Sequence, residues 1–318
     1  MSAIPKPAGE ASPAEAVERL RSSICEVIRG KRDVVDLALT AVLAGGHLLL
    51  QDVPGVGKTT MAAALAASVG GTFSRIQFTS DLLPGDITGV SVLDRDSGAF
   101  EWRPGPLFAN VVLADEINRT TPRTQSALFE AMSEGQVTCD GETRALPKPF
   151  LVVATQNPFD FHGTFHLPDS QLDRFLMRLH VGYPDREAER EVLRAGGMNR
   201  KVAQSVLSLA EVAALMRAAA STSVPGEVEE YLLDLVQHTR TDARLLRGVS
   251  TRGAQALYSA IKAYALVNGR NFVIPEDVRD LACPVLAHRV LPRSGGASGG
   301  DGGAVAIRGI LDELPAPQ

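Results

Sequence analysis

The order of apolar runs predicts an α/β fold with a parallel sheet, followed by a helical domain. Three observations carry this. A short apolar run, His47-Leu48-Leu49-Leu50, passes through a Gly-rich turn directly into a helical pattern over residues 59–68. Two further buried-type runs, residues 111–113 and 151–154, each lead into polar residues. Beyond Tyr183-Pro184 only helical periodicity remains. Strands alternating with helices imply βαβ units, and strands buried on both faces read as unbroken apolar runs.

Each element follows in turn. Residues 1–13 are rich in Pro, Ala, Gly and Ser and are expected to fray. Ser12-Pro13 opens a helix, with Ser as the cap and Pro at the first helical position. Val17, Leu20, Ile24, Val27 and Ile28 fall on one helical stripe, and Gly30 is the expected stop. Residues 33–43 read as a second helix, ended by Gly45-Gly46, and residues 73–78 as a second strand. After residue 184, helices are expected over 187–195, 209–220, 227–239, 251–268 and 275–286, and no strand is needed. A boundary near residue 188 divides the chain into an α/β domain, 1–188, and a helical domain, 189–318. A Gly/Ser-rich stretch at 294–303 reads as a flexible linker before a final amphipathic segment at 305–314.

Composition narrows the function classes. With 45% hydrophobic and 22% charged residues among 318, the chain has a globular composition and is long enough to bury a core. Thirty-two Lys+Arg against 37 Asp+Glu give a net charge of −5, so no nucleic-acid partner is expected. Cys25, Cys139 and Cys283 lie far apart and form no CxxC pair, which fits a reducing, cytoplasmic setting. The first sixteen residues show no apolar h-region, and no apolar run approaches the ~20 residues that span a bilayer.

The strongest motif is Pro54-Gly55-Val56-Gly57-Lys58-Thr59-Thr60, between a strand and a helix. Small residues there let backbone N–H groups surround phosphates, and the helix N-terminus favours their charge. Lys58 would reach the β/γ-phosphates and the Thr59 hydroxyl would bind Mg²⁺. The full pattern places Gly at position 52, where this chain has Asp52. Val111-Val112-Leu113-Ala114 ends in Asp115-Glu116. At the carboxyl end of a parallel strand, Asp115 would hold the Mg²⁺ shell and Glu116 would polarise an attacking water. Asn157 follows the run 151–154 and suits the orientation of that water, although Asn157-Pro158 reads equally as the start of a turn. Arg174 and Arg252 suit developing phosphate charge, and each taken alone also reads as a surface ion pair.

Together these stretches resemble the MoxR family of AAA+ ATPases. The resemblance is carried by HLLLQDVPGVGKTTMA, VVLADEINRTTPRTQSALFEAM, VVATQNPF, LDRFLMR and NGRNFVIPEDVRDLA. It implies a P-loop AAA+ core with a parallel sheet and a C-terminal all-α lid domain. It also implies ATP with Mg²⁺ as ligands. Lys58 and Thr59 match Walker A, Asp115 and Glu116 match Walker B, and Asn157 matches sensor 1. Arg252, in Ser250-Thr251-Arg252-Gly253, matches sensor 2, where relatives more often carry Ser-Pro-Arg-Ala. Arg174 matches the arginine finger, which in this family acts on the neighbouring subunit's nucleotide. Ile28 and Gly30 match the segment lining the adenine pocket. Residues 82–103 resemble a hairpin insert facing a central pore, and residues 136–150 a hairpin before sensor 1, with Asp140-Gly141 as its turn.

The resemblance further implies a homo-oligomeric ring, a hexamer, that remodels or matures protein clients, often with a von Willebrand factor A domain protein as partner. Two other readings stay open on the residues: an ATPase acting on nucleic acid, and a nucleotide-gated scaffold that does not hydrolyse.

Overall fold

A computed structural model describes residues 12–53, 55–157, 163–194, 203–293 and 302–317. Pro54, most of the N-terminal stretch 1–13 and residues 294–301 of the Gly-rich stretch lie outside the described residues.

The Ser12 cap forms as its spacing predicts. Its backbone N–H donates to Glu15 Oε2 at 2.8 Å, and the Glu15 N–H donates back to Ser12 Oγ at 3.3 Å. This reciprocal pair starts α1 (Pro13–Cys25) and satisfies two helix-end donors. Val17, Leu20 and Ile24 form its fully buried stripe. The helix stops at Cys25 rather than Gly30, which lies in the following turn with φ of 68°. Next come α2 (Arg32–Leu43), β1 (Leu48–Gln51), α3 (Lys58–Ser68), β2 (Phe73–Gln77) and α4 (Pro84–Thr88). A hairpin follows, β3 (Gly89–Leu93) and β4 (Phe100–Pro104), then β5 (Val111–Asp115) and α5 (Pro122–Glu134). A second hairpin, β6 (Gln136–Cys139) and β7 (Glu142–Ala145), precedes β8 (Leu151–Gln156), α6 (Asp169–Leu172) and β9 (Met177–Leu179).

Strands β2, β5, β8, β1 and β9 form a five-stranded sheet in that order, parallel throughout. Side chains alternate across it. Leu48, Leu50, Leu113 and Val153 face one apolar cluster, and Leu49, Val112, Ala114, Val152 and Ala154 face the other. The expected α/β core with its parallel sheet is therefore present. Strand β9 was not foreseen; it is short and carries Arg178 at its centre.

The C-terminal part is helical: α7 (Arg186–Arg194), α8 (Leu209–Ala220), α9 (Gly226–Thr241), α10 (Thr251–Val267), α11 (Pro275–Leu286) and α12 (Gly302–Glu313). One addition to the expected helices is a small antiparallel pair, β10 (Leu245–Arg247) with β11 (Leu291–Pro292). Helix α10 packs against α2, α8 and α11, and its apolar residues join the cluster on the Leu48 face of the sheet. A buried Arg21 fastens this contact, bonding Asp36 of α2 and the Val267 carbonyl of α10.

Both expected hairpins form. Asp140 and Gly141 adopt φ of 54° and 78°, the paired left-handed geometry of a two-residue hairpin turn. The hairpins also pack together: the Cys139 thiol meets the Gly89 carbonyl at 3.3 Å, and the Arg144 guanidinium lies 4.4 Å from the centre of the Trp102 ring. The outer hairpin exposes Val90, Val92, Leu93 and Phe100, the last 74% exposed.

His47 ties three elements together at the start of β1. Its Nδ1 accepts from the Val152 N–H at 3.0 Å, and its Nε2 lies 3.0 Å from the Met132 carbonyl. The bond accepted at Nδ1 needs a neutral ring, and burial pulls the pKa from 6.5 to about 4 against the opposing bond to the Met132 carbonyl. The neutral ring therefore contributes stability that is fully present above pH 6.5 and is lost as pH falls towards 4. The loss amounts to roughly 3 kcal/mol at 1.36 kcal/mol per unit. Urea unfolding at pH 7 and pH 4.5 should show this, and His47→Gln should flatten the difference.

Candidate active site

The sheet register assembles the site. Gln51 pairs with Gln156, Gln77 with Asp115, and Ala114 with Ala154. The residues following β1, β5 and β8 therefore meet at one edge, the carboxyl edge where parallel sheets bind ligands. Gly57 begins α3 at φ of 96°, and Gly55 has φ of 90°. Left-handed backbone of this kind is costly for residues with a Cβ, so the loop needs glycine to turn its N–H groups inward. Helix α3 directs its N-terminus at the same place, with Lys58 and Thr59 in its first turn.

Lys58 Nζ donates to the Asp52 carbonyl at 2.7 Å. Burial pulls its ammonium below the usual lysine range, and the charges of Asp115, Asp52 and Glu116 oppose that pull. Lys58 thus sits in the field of the acidic pair that the sequence placed 57 and 58 residues away.

Both oxygens of Asp115 are engaged. Thr155 Oγ1 donates to Oδ1 at 2.6 Å, and Arg75 Nη2 donates to Oδ2 at 2.7 Å. Glu116 adopts φ of 56°, an uncommon conformation for a residue with a side chain, and its N–H donates to Thr155 Oγ1 at 2.9 Å. Its Oε2 accepts from Gln77 Nε2 at 3.2 Å and pairs with Arg119 Nε at 3.0 Å. The strained backbone and these partners fix where the Glu116 carboxylate points. Arg75, Gln77, Arg119 and Thr155 were not anticipated. Arg75 and Gln77 share a face by strand alternation, and only the pairing of β2 with β5 brings them to the acids.

Asp52 has a defined job. Its Oδ2 accepts from the backbone N–H groups of Val181 and Gly182. A carboxylate there ties the phosphate loop to the segment leaving β9 for the helical part, which glycine cannot do. Gly30 approaches the same segment: a Cβ on it would lie 2.8 Å from Asp185 Oδ2. Lys31 Nζ donates to the Tyr183 carbonyl at 2.6 Å, and Ile28 is buried beside this turn.

Asn157 follows β8 at the site edge. Arg252 lies exposed in the first turn of α10, which Ser250 caps by accepting from the Gly253 N–H at 3.1 Å. Space at Gly253 is tight: a Cβ would stand 2.8 Å from Val249 Cγ1 and 3.0 Å from Arg289 Cδ, and those side chains would have to shift. This accounts for glycine in the Ser-Thr-Arg-Gly stretch. Arg174 does not join the acids; its Nη1 donates to the Phe129 carbonyl of α5 at 3.2 Å.

The donors present suit a magnesium–nucleotide pair. The Asp115 carboxylate and Thr59 hydroxyl are hard oxygen ligands. Among the described residues no group of three His, Cys, Asp or Glu forms an all-protein metal cage. Mg²⁺ in such sites is shared with phosphates and water, so two protein ligands suffice. No helix among the described residues is long and apolar enough to cross a membrane.

Comparison with known proteins agrees with this fold. Residues 47–177 match the model of the ATPase family associated with various cellular activities (AAA), and residues 237–305 match the AAA lid domain. The chain is 46% identical to the uncharacterized Bacillus subtilis protein YeaC, over 95% of this chain and 94% of that one. It is 38% identical to chaperone MoxR1 of Mycobacterium tuberculosis, over 98% of this chain and 85% of the relative. A crystal structure of a Cytophaga hutchinsonii protein assigned as an ATPase superposes with a TM-score of 0.88 at 36% identity, covering 96% of both chains. By fold, motif order and near full-length similarity, the chain belongs to the MoxR family of AAA+ ATPases.

Proposed function

We propose that this chain hydrolyses ATP at subunit interfaces of a homo-oligomeric ring, a hexamer, and uses the resulting motion to remodel or mature protein clients. The observation that carries the reading is the sheet register that gathers the ends of β1, β5 and β8, so that Lys58 at the N-terminus of α3 lies in the field of Asp115 and Glu116. Residues 1–188 act as the nucleotide-binding core and 189–318 as the lid.

Gly55, Val56, Gly57 and Thr60, with Pro54, cradle the phosphates, and Ile28 and Gly30 flank the adenine. Lys58 leaves the Asp52 carbonyl for the β/γ-phosphates. Thr59 and Asp115 hold magnesium, which when bound neutralises phosphate charge. Glu116 polarises the attacking water, and Asn157 orients it. Arg252 reports the nucleotide to the lid. Arg174 serves the neighbouring subunit; its bond to the Phe129 carbonyl, away from Asp115 and Glu116, supports action in trans.

The exposed apolar hairpin β3–β4 faces the client. The name of MoxR1 as a chaperone supports a protein client over nucleic acid, as does the net charge of −5. A von Willebrand factor A domain protein is the proposed partner and the cytoplasm the proposed setting.

ATP turnover by the purified chain tests this, with Mg²⁺ or with chelator, beside Lys58→Ala. Turnover is expected only in the unsubstituted chain with Mg²⁺. Equal turnover in Lys58→Ala would contradict it.

A further inference from the structure

We propose that Arg289 is a positioning residue for Arg174: a buried guanidinium on the lid that fixes the backbone from which the finger is offered to the next subunit. This rests on the reading that Arg174 acts in trans.

Arg289 lies in the turn after α11 and is 6% exposed. Its side chain leaves the lid and enters the core. Nε donates to Asp173 Oδ1 at 2.8 Å, and Nη2 donates to the Asp173 carbonyl at 3.1 Å and the Phe175 carbonyl at 2.7 Å. Nη1 donates to the Leu176 carbonyl at 3.0 Å. These acceptors bracket Arg174 on both sides. Between α6 and β9 the backbone N–H groups of residues 173–176 are held by turn bonds and by the His47 carbonyl, and the carbonyls of Asp173, Phe175 and Leu176 are held chiefly by this rigid fork, with His288 Nε2 also 3.1 Å from the Phe175 carbonyl. A lysine could not hold them so, because its donors radiate from a single point.

The other side of Arg289 faces the sensor. Its Cδ would lie 3.0 Å from a Cβ on Gly253, the residue after Arg252, and the charge of Arg252 acts on it. Arg289 therefore stands between the residue proposed to read the nucleotide and the residue proposed to catalyse next door. Movement of α10 and α11 carries Arg289, and Arg289 carries residues 173–176. The lid over one subunit's nucleotide thereby sets the finger which that subunit presents to its neighbour.

Mixed rings test this, because a defect in the donated finger and a defect in the subunit's own site give opposite pairings. Arg289→Lys keeps the charge and loses the fork. Its homomeric turnover should fall by roughly 10²-fold, the scale of a misplacement of about 1 Å, with binding of a fluorescent ATP analogue retained. Mixed with Lys58→Ala subunits, which donate intact fingers, turnover should partly return. Mixed with Arg174→Ala subunits it should not, since neither partner offers a working finger. The reverse pattern would overturn the proposal, as would unchanged turnover or lost nucleotide binding in Arg289→Lys. If that variant does not fold, Asp173→Asn, which weakens the hold on Nε at a half-buried position, should give the same pairings with a smaller loss. Absence of any return when Arg174→Ala is mixed with Lys58→Ala would instead remove the trans reading itself, independently of Arg289.

Discussion

Replacing Arg174 by alanine is expected to lower ATP turnover by about 10³-fold or more, the range an arginine finger supplies in phosphoryl transfer. Nucleotide binding should be nearly unchanged, because the phosphate loop, Lys58 and Asp115 lie elsewhere. Folding should survive as well: the side chain contributes one hydrogen bond, at 3.2 Å to the Phe129 carbonyl, and is only half-buried. Such a bond is worth ~1 kcal/mol. Steady-state turnover and analogue binding separate the two effects. Mixing Arg174→Ala with Lys58→Ala subunits should restore part of the activity, since each supplies what the other lacks. Unchanged turnover would remove Arg174 from the catalytic set.

Glu116→Gln should bind ATP and turn it over ~10²–10⁴-fold more slowly, the contribution of a positioned general base. Glutamine nearly matches the shape and leaves the backbone bond to Thr155 in place, so the φ of 56° is retained. What disappears is the charge that Gln77 and Arg119 now hold in position. It is also one of the charges facing Lys58, so phosphate binding should hold or tighten. Unchanged turnover would place the base elsewhere.

The strands that build the site announced themselves because they are buried on both faces. Val111-Val112-Leu113-Ala114 and Leu151-Val152-Val153-Ala154 are apolar without a break, and each ends where the sheet meets solvent. Strand β9 carries no such signal: three residues with a central arginine look like the loop around them. The same contrast runs through the site. Lys58, Thr59, Asp115 and Glu116 stand in local patterns that state their chemistry. The partners of Asp52 are backbone N–H groups 129 and 130 residues away, and a backbone donor has no residue type to recognise. Arg75, Gln77 and Thr155 reach the acids through strand pairing, which no single segment encodes. Arg289 is the extreme case, an arginine in a C-terminal turn whose acceptors include three main-chain carbonyls more than a hundred residues earlier.

Completion of each site by a second subunit is decided by turnover per subunit across a wide dilution series with Mg²⁺, with mass measured at each concentration. Low turnover is expected for dissociated chains, with a steep rise as they assemble and a plateau once rings are complete. Substantial turnover that stays flat while the measured mass falls to that of a single chain would show a site complete within one subunit and would contradict it.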